Sequence, residues 1–174
     1  SDDGSAMTSV NPVDVKSEEL RKELDRTTEL RIPVLCLEQL IRDTEAEDYL
    51  VTYDYLGLGE NIGEYIIEQK KLAKAEEPCT VEFLFGDREN QAAFLYSLGL
   101  LEKLEPYLED GTLICRSGET DFASASLQED TVLKERERFN SILQLKYPDA
   151  PQDIVCEFSD EYASVAIGVI EKKE

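Results

Sequence analysis

The sequence contains no histidine and no tryptophan. Without histidine it lacks the commonest general base, the commonest metal ligand and the usual partner of a serine or cysteine nucleophile, so hydrolytic triads are excluded. Cys36, Cys79, Cys115 and Cys156 are spread along the chain with no C-x-x-C pair, which removes zinc and redox motifs. No run of acids has calcium-loop spacing, and neither a metal nor a cofactor is expected. Basic residues are scarce as well: 18 Lys and Arg stand against 39 Asp and Glu, for a formal charge of −21. That charge repels phosphate backbones and anionic lipid surfaces, so nucleic acid is not an expected partner. No stretch approaches the length of a membrane span, and the N-terminus lacks the basic-then-apolar layout of a signal peptide.

What is present can bury a substantial core, since 41% of the 174 residues are hydrophobic. The chain is organised around residues 80–113, TVEFLFGDRENQAAFLYSLGLLEKLEPYLEDGTL. Val81, Phe83 and Phe85 predict a buried strand that ends at Gly86. A polar turn follows, and Ala93, Tyr96, Leu100, Leu101, Leu104 and Leu108 then recur at helical spacing until Asp110-Gly111 stops the helix. TLICRSG begins a second strand after a crossover long enough to return the chain parallel to the first.

Earlier in the chain, Leu20 and Leu24 mark a narrow helical stripe that Ser17 can cap and Ile32-Pro33 closes, before VLCL as a short buried strand. YLVTYDY reads as another strand. Ile62, Tyr65, Ile66 and Gln69 then give one helical face, with Lys70, Lys71 and Lys74 near its C-terminal end. Gly57, Gly59 and Gly63 approach a dinucleotide fingerprint, but the last interval is one residue too long and Glu60 would face a pyrophosphate. They are read instead as structural, with Gly63 allowing close helix-to-sheet packing and Gly57 or Gly59 shaping a turn. Later, Phe139, Ile142, Leu143 and Tyr147 define a buried helical face, DIVCEFSDEY a third strand, and Val165, Ile167, Val169 and Ile170 a last short helix. Cys36, Cys115 and Cys156 fall in apolar strand-like runs and are expected to be buried free thiols.

Three strand–helix units from residue 80 onward predict an α/β fold, a three-layer α/β/α arrangement around a mainly parallel, doubly wound sheet. Ligands of such sheets lie beyond the carboxyl ends of the strands. The exits GDREN, SGETDF and SDEY offer Asp87, Arg88, Glu89, Asn90, Gln91, Glu119, Asp121 and Asp160, groups able to hydrogen-bond a polyol or an amine.

The phrases DGSAM, IPVLCLEQLI, YLVTYDYLGLGENIGEYI, VEFLFGDRENQAAFLYSLGLLEKLEPYLEDGTLICRSGETDF and AIGVI, in that order and spacing, resemble the monosaccharide-binding proteins of bacterial ABC uptake systems. The subgroup is the periplasmic or lipid-anchored multiple-sugar binders, with the type I periplasmic-binding-protein fold. The resemblance implies a non-enzymatic solute-binding component that holds a monosaccharide or related polyol between two lobes. It also implies ABC permease subunits as partners of the full-length protein. The expected location is outside the cytoplasm, periplasmic or lipid-anchored, with the signal segment not present in this chain. Only the middle of the family is covered: residues 1–43 correspond to the end of the first lobe and a hinge crossing, and 44–174 to the second lobe.

By position, the implied sugar contacts are Glu38, Gln39, Asn90, Gln91, Gln128 and Asp160. Their chemistry departs from the family's. Its Asp-Arg becomes Glu38-Gln39, its Asp-Asn-Asn becomes Asn90-Gln91-Ala92, its Arg-Trp becomes Gln128-Glu129, and its Asn-Asp becomes Ser159-Asp160. Loss of the arginine fork weakens recognition of vicinal oxygens, and stacking falls to Tyr or Phe. These substitutions support an alternative, a binding-protein-like sensory or protein-interaction domain that no longer binds sugar.

Without a complete companion lobe, residues 17–37 lose much of their burial partner and are expected to be either mobile or packed on another copy, so self-association is an expectation. Hydrogen exchange measured against protein concentration checks it. Strong protection throughout residues 17–37 in a monomer contradicts it.

Overall fold

A computed structural model describes residues 18–38, 45–128 and 131–171. Packing divides the chain after Tyr53 into two units, Ser1–Tyr53 and Asp54–Glu174. That break lies beyond the 43/44 boundary drawn from the sequence.

In the first unit, helix α1 (Glu18–Leu30) is followed by strands β1 (Leu35–Leu37) and β2 (Tyr49–Val51). The helix ends where Arg31 adopts a left-handed conformation, φ 55°, and the Ile32 amide turns back to the Thr27 carbonyl at 2.9 Å. Pro33 cannot continue the helix. The strands pair in parallel, Leu35 opposite Tyr49, and the Asp48 carboxylate accepts from the Val34 amide at 2.8 Å to set their entry. The expected buried strand VLCL is buried only at Cys36, because β1 and β2 form a two-stranded sheet that leaves Leu35 and Leu37 exposed.

The second unit contains α2 (Tyr55–Lys70), β3 (Cys79–Leu84), β4 (Gly86–Asp87), α3 (Gln91–Glu109), β5 (Leu113–Ile114), β6 (Ser126–Leu127), α4 (Val132–Lys146), β7 (Ile154–Glu157) and α5 (Asp160–Ile170). Its sheet has the order β5-β3-β7, all parallel, and β4 pairs in parallel with β6. β3 is central, and its period-two alternation separates two cores. Val81, Phe83 and Phe85 join Ile66 and Leu72 with Tyr96, Leu100 and Leu104 of α3. Leu84 joins Phe139, Ile142, Leu143 and Tyr147 of the α4 segment and Ala166 and Val169 of α5. Each of the larger apolar side chains so buried contributes roughly 1.5–3 kcal/mol relative to exposure. The unit has the expected three-layer α/β/α architecture.

The second strand is much shorter than TLICRSG suggested. After Ile114 the chain turns out of the sheet, and the Ser117 amide donates to the Glu82 carboxylate at 3.1 Å. Cys115 consequently sits half-buried beyond the strand, whereas Cys36 and Cys156 are buried; no disulfide joins the four cysteines.

The glycines do a different job from the one expected. Gly57, Gly59 and Gly63 all lie inside α2, and the tight contact is helix to helix. A Cβ on Gly59 would fall 2.0 Å from the Tyr96 carbonyl oxygen, and one on Gly99 of α3 would fall 2.1 Å from that of Leu56. Each helix thus receives the other's backbone at a glycine. Because backbone cannot move aside as a flexible side chain can, Gly99→Ala is expected to destabilise the fold by about 3 kcal/mol. Urea unfolding monitored by far-UV circular dichroism checks this, and an unchanged midpoint contradicts it.

Candidate functional site

From β3 the chain passes through α3 to β5 on one side, and from β5 through α4 to β7 on the other. The switch point therefore lies at the carboxyl ends of β3 and β7, where α3 and α5 depart to opposite faces. Local sequence builds both helix starts there. The Asn90 side-chain oxygen accepts from the Ala92 and Ala93 amides at 2.9 and 3.2 Å, and Ser159 Oγ accepts from the Tyr162 amide at 3.3 Å.

Aromatic rings run along this end of the unit. Tyr55 meets Phe158 at 5.9 Å, Phe158 meets Tyr96 at 5.6 Å, Tyr96 meets Phe85 at 6.3 Å, Phe85 meets Phe122 at 6.1 Å, and Phe122 meets Phe94 at 5.3 Å. Phe94 is 45% exposed and presents apolar surface beside the polar exits. Burial pushes the Tyr96 phenol well above its ordinary range, so it is a neutral part of this row.

The second exit leaves the sheet at Cys115 and returns at β6, opposite β4, with Gly86 paired to Ser126 and Asp87 to Leu127. The Phe85 amide donates to the Ala125 carbonyl at 2.9 Å and the Arg88 amide to the Leu127 carbonyl at 2.7 Å. Its outward turn is held by Glu82, a wholly buried carboxylate on β3. Besides the Ser117 amide, Glu82 accepts from Tyr147 Oη at 2.7 Å and from Cys115 Sγ at 3.7 Å. Burial, reinforced by the bond to Glu82 and its charge, raises the Tyr147 phenol far above its usual value, and burial also raises the Cys115 thiol. Arg116 donates to the Lys146 carbonyl at 3.2 Å and lies 4.8 Å above the Tyr147 ring, closing the C-terminal end of α4.

Of the expected contact residues, Asn90, Gln91, Gln128 and Asp160 lie at the strand exits of the second unit. Asn90 spends its oxygen on the α3 cap. Gln91, the first residue of α3, is exposed, as are Gln128 just after β6 and Asp160 at the start of α5. Glu38 is an exposed residue of the first unit with φ 68°, its carbonyl accepting from Thr52 Oγ1 at 3.2 Å. Gln39 lies outside the described residues. Arg88 and Glu119, also counted among the exit groups, turn toward protein: Arg88 to Ser126 Oγ at 3.4 Å and the Ala123 carbonyl, Glu119 to Arg138. Sequence reasoning overlooked Glu82 and Arg138, and it placed Tyr147 on a buried helical face without its bond to Glu82. A signal for Glu82 existed, one acid inside the apolar run of β3.

No family model matches the chain. The multiple sugar-binding periplasmic protein SbpA of Azospirillum brasilense is 25% identical over 147 residues, 84% of this chain and 40% of that protein. The multiple sugar-binding periplasmic receptor ChvE of Rhizobium radiobacter is 24% identical over 147 residues, 84% of this chain and 41% of its own. An ABC transporter solute binding protein of Clostridium phytofermentans, solved with bound β-D-glucose, has a TM-score of 0.80 at 26% identity, over 88% of this chain and 48% of that one. The chain resembles these sugar solute-binding proteins and has the mainly parallel α/β fold of one lobe of a type I periplasmic binding protein, and it spans less than half the length of each.

Asp121 gives a pH test of the second exit. Its carboxylate accepts from the Ser124 amide at 2.9 Å, and that backbone bond, aided by the charge of Arg88, lowers its pKa below the ordinary 3.8. The ionised form is favoured, so the turn is held above that value and released as pH falls through the lowered pKa. An NMR titration following the Ser124 amide is expected to show a midpoint below 3.8 that rises in Arg88→Gln. A midpoint at the free-aspartate value contradicts the contact.

Proposed function

We propose that the chain belongs to the solute-binding component of a bacterial sugar ABC uptake system, and that its second unit supplies one lobe's share of the site for a monosaccharide or related polyol. The observation that carries this reading is the polar rim of Asn90, Gln91, Gln128 and Asp160 at the strand exits, beside a row of aromatic rings. Aromatic faces suit the C–H faces of a sugar ring, while amides and carboxylates suit its hydroxyls. Similarity to proteins named as multiple sugar-binding, and to one solved with β-D-glucose, supports a sugar as the ligand.

On the same reading, residues 1–43 are the end of the first lobe with its hinge crossing and 44–174 the second lobe, and Glu38 and Gln39 are the first lobe's contribution. The protein partners are permease subunits, and the role is binding without catalysis. The periplasmic naming of the relatives supports an exported location; attachment through a lipid is the finer form of that proposal. Hydrogen bonds to charged groups contribute about 1.5–3 kcal/mol, so exchange of the arginine fork for Gln39 lowers affinity by about tenfold or more.

The commitment of the Asn90 oxygen to the α3 cap also favours a second reading, a binding-protein-like sensory or protein-interaction domain that has lost sugar. The two separate in one pair of measurements on the full gene product. Thermal shift and calorimetry with a panel of monosaccharides are expected to show stabilisation at millimolar sugar, weakened about tenfold by Gln128→Ala or Asp160→Ala. No stabilisation by any sugar, with a pull-down that recovers a partner other than permease subunits, overturns the first reading in favour of the second.

A further inference from the structure

The exit loop of residues 119–128 carries Phe122 and Gln128 but has little regular structure of its own, only the two residues of β6. Its carbonyls are nevertheless held. Arg138, one residue before the buried Phe139 of α4, directs its guanidinium at five acceptors. Nη1 donates to the Ala125 carbonyl at 3.2 Å and the Glu135 carboxylate at 3.1 Å. Nη2 donates to the Phe83 carbonyl at 3.5 Å, the Ser124 carbonyl at 3.4 Å and the Glu119 carboxylate. From the other side, Arg88 reaches the Ala123 carbonyl and Ser126 Oγ. The carbonyls of 123, 124 and 125 are thus bound in succession by two guanidinium groups.

The Phe83 carbonyl lies on the edge of β3 that β5 has left, since β5 pairs only as far as Thr80 opposite Ile114. A guanidinium suits this gap. It is planar and always charged, with donors fixed in a fork, whereas a lysine ammonium is a point charge that cannot bridge carbonyls from two chain segments in one plane. The Arg138 side chain is 12% exposed and that of Glu135 1%, so the pair is largely shielded from competing water.

We infer that Arg138 and Arg88 are positioning residues that set the sugar-facing conformation of the 119–128 loop, and through it specificity, rather than ligands themselves. This rests on the proposed sugar function. Held at its carbonyls, the loop presents Phe122 and Gln128 in one arrangement before ligand arrives, so binding need not order it.

The test uses Arg138→Lys, which keeps a positive charge beside buried Glu135, as Arg138→Ala would not. Arg88→Gln serves as a second variant on the exposed side. Hydrogen exchange by mass spectrometry and calorimetry with D-glucose and its C4 epimer D-galactose are measured on the full gene product. Both variants are expected to keep the protection of α3 and α5, to exchange the amides of 122–127 about tenfold faster, and to change the glucose-to-galactose affinity ratio. A purely structural role lowers the melting temperature and leaves that ratio unchanged, which overturns the inference. So does wild-type protection of 122–127 in both variants. If the wild-type protein binds no sugar, the functional reading and the specificity claim both fall, while the exchange rates alone decide whether the arginines hold the loop.

Discussion

A strand buried on both faces and flanked on both edges must pair every backbone polar group, and β3 is such a strand. Along one edge β7 supplies the partners from Val81 to Leu84. Along the other, β5 supplies them only to Thr80. The rest of that edge is completed by pieces from elsewhere: the Ala125 carbonyl for the Phe85 amide, and Arg138 for the Phe83 carbonyl. Even the beginning of β3 is tied this way, with Thr80 and Asp153 exchanging three hydrogen bonds of 2.8–2.9 Å. Beyond the short β5, arginines and a buried glutamate organise the second exit.

Buried Glu82 shows the same logic on the strand's face. A carboxylate in an apolar layer costs several kcal/mol unless hydrogen-bonded. Here one oxygen receives the Ser117 amide and the Tyr147 hydroxyl, joining the middle strand, the departing loop and the end of α4. A single polar side chain thereby decides where the second strand stops.

The architecture was legible because its signals are periodic. Alternation in β3, helical spacing in α3 and the α4 face of Phe139, Ile142 and Leu143 all report burial directly. What could not be read was whatever depends on a distant partner. TLICRSG has the composition of a longer strand, and nothing local says that Glu82, 35 positions from Ser117, will take that residue's amide. Gly59 likewise reads as a turn glycine until α2 and α3 are side by side. The candidate site was legible as strand exits, while the division of its polar groups was not. Asn90, Arg88 and Glu119 have the same chemistry whether they face ligand or protein.

The interlocked glycines of α2 and α3 bear on where compliance can reside. Each backbone occupies the notch left by the other's missing Cβ, so a slide of one residue would drive a side chain into a carbonyl. Neighbouring registers along the pair are therefore separated by whole helical turns, about 5.4 Å, with no shallow positions between them. Small displacements within the unit cannot be absorbed by shear in this layer. In mechanical terms the helical layer is a stiff backing plate for the sheet.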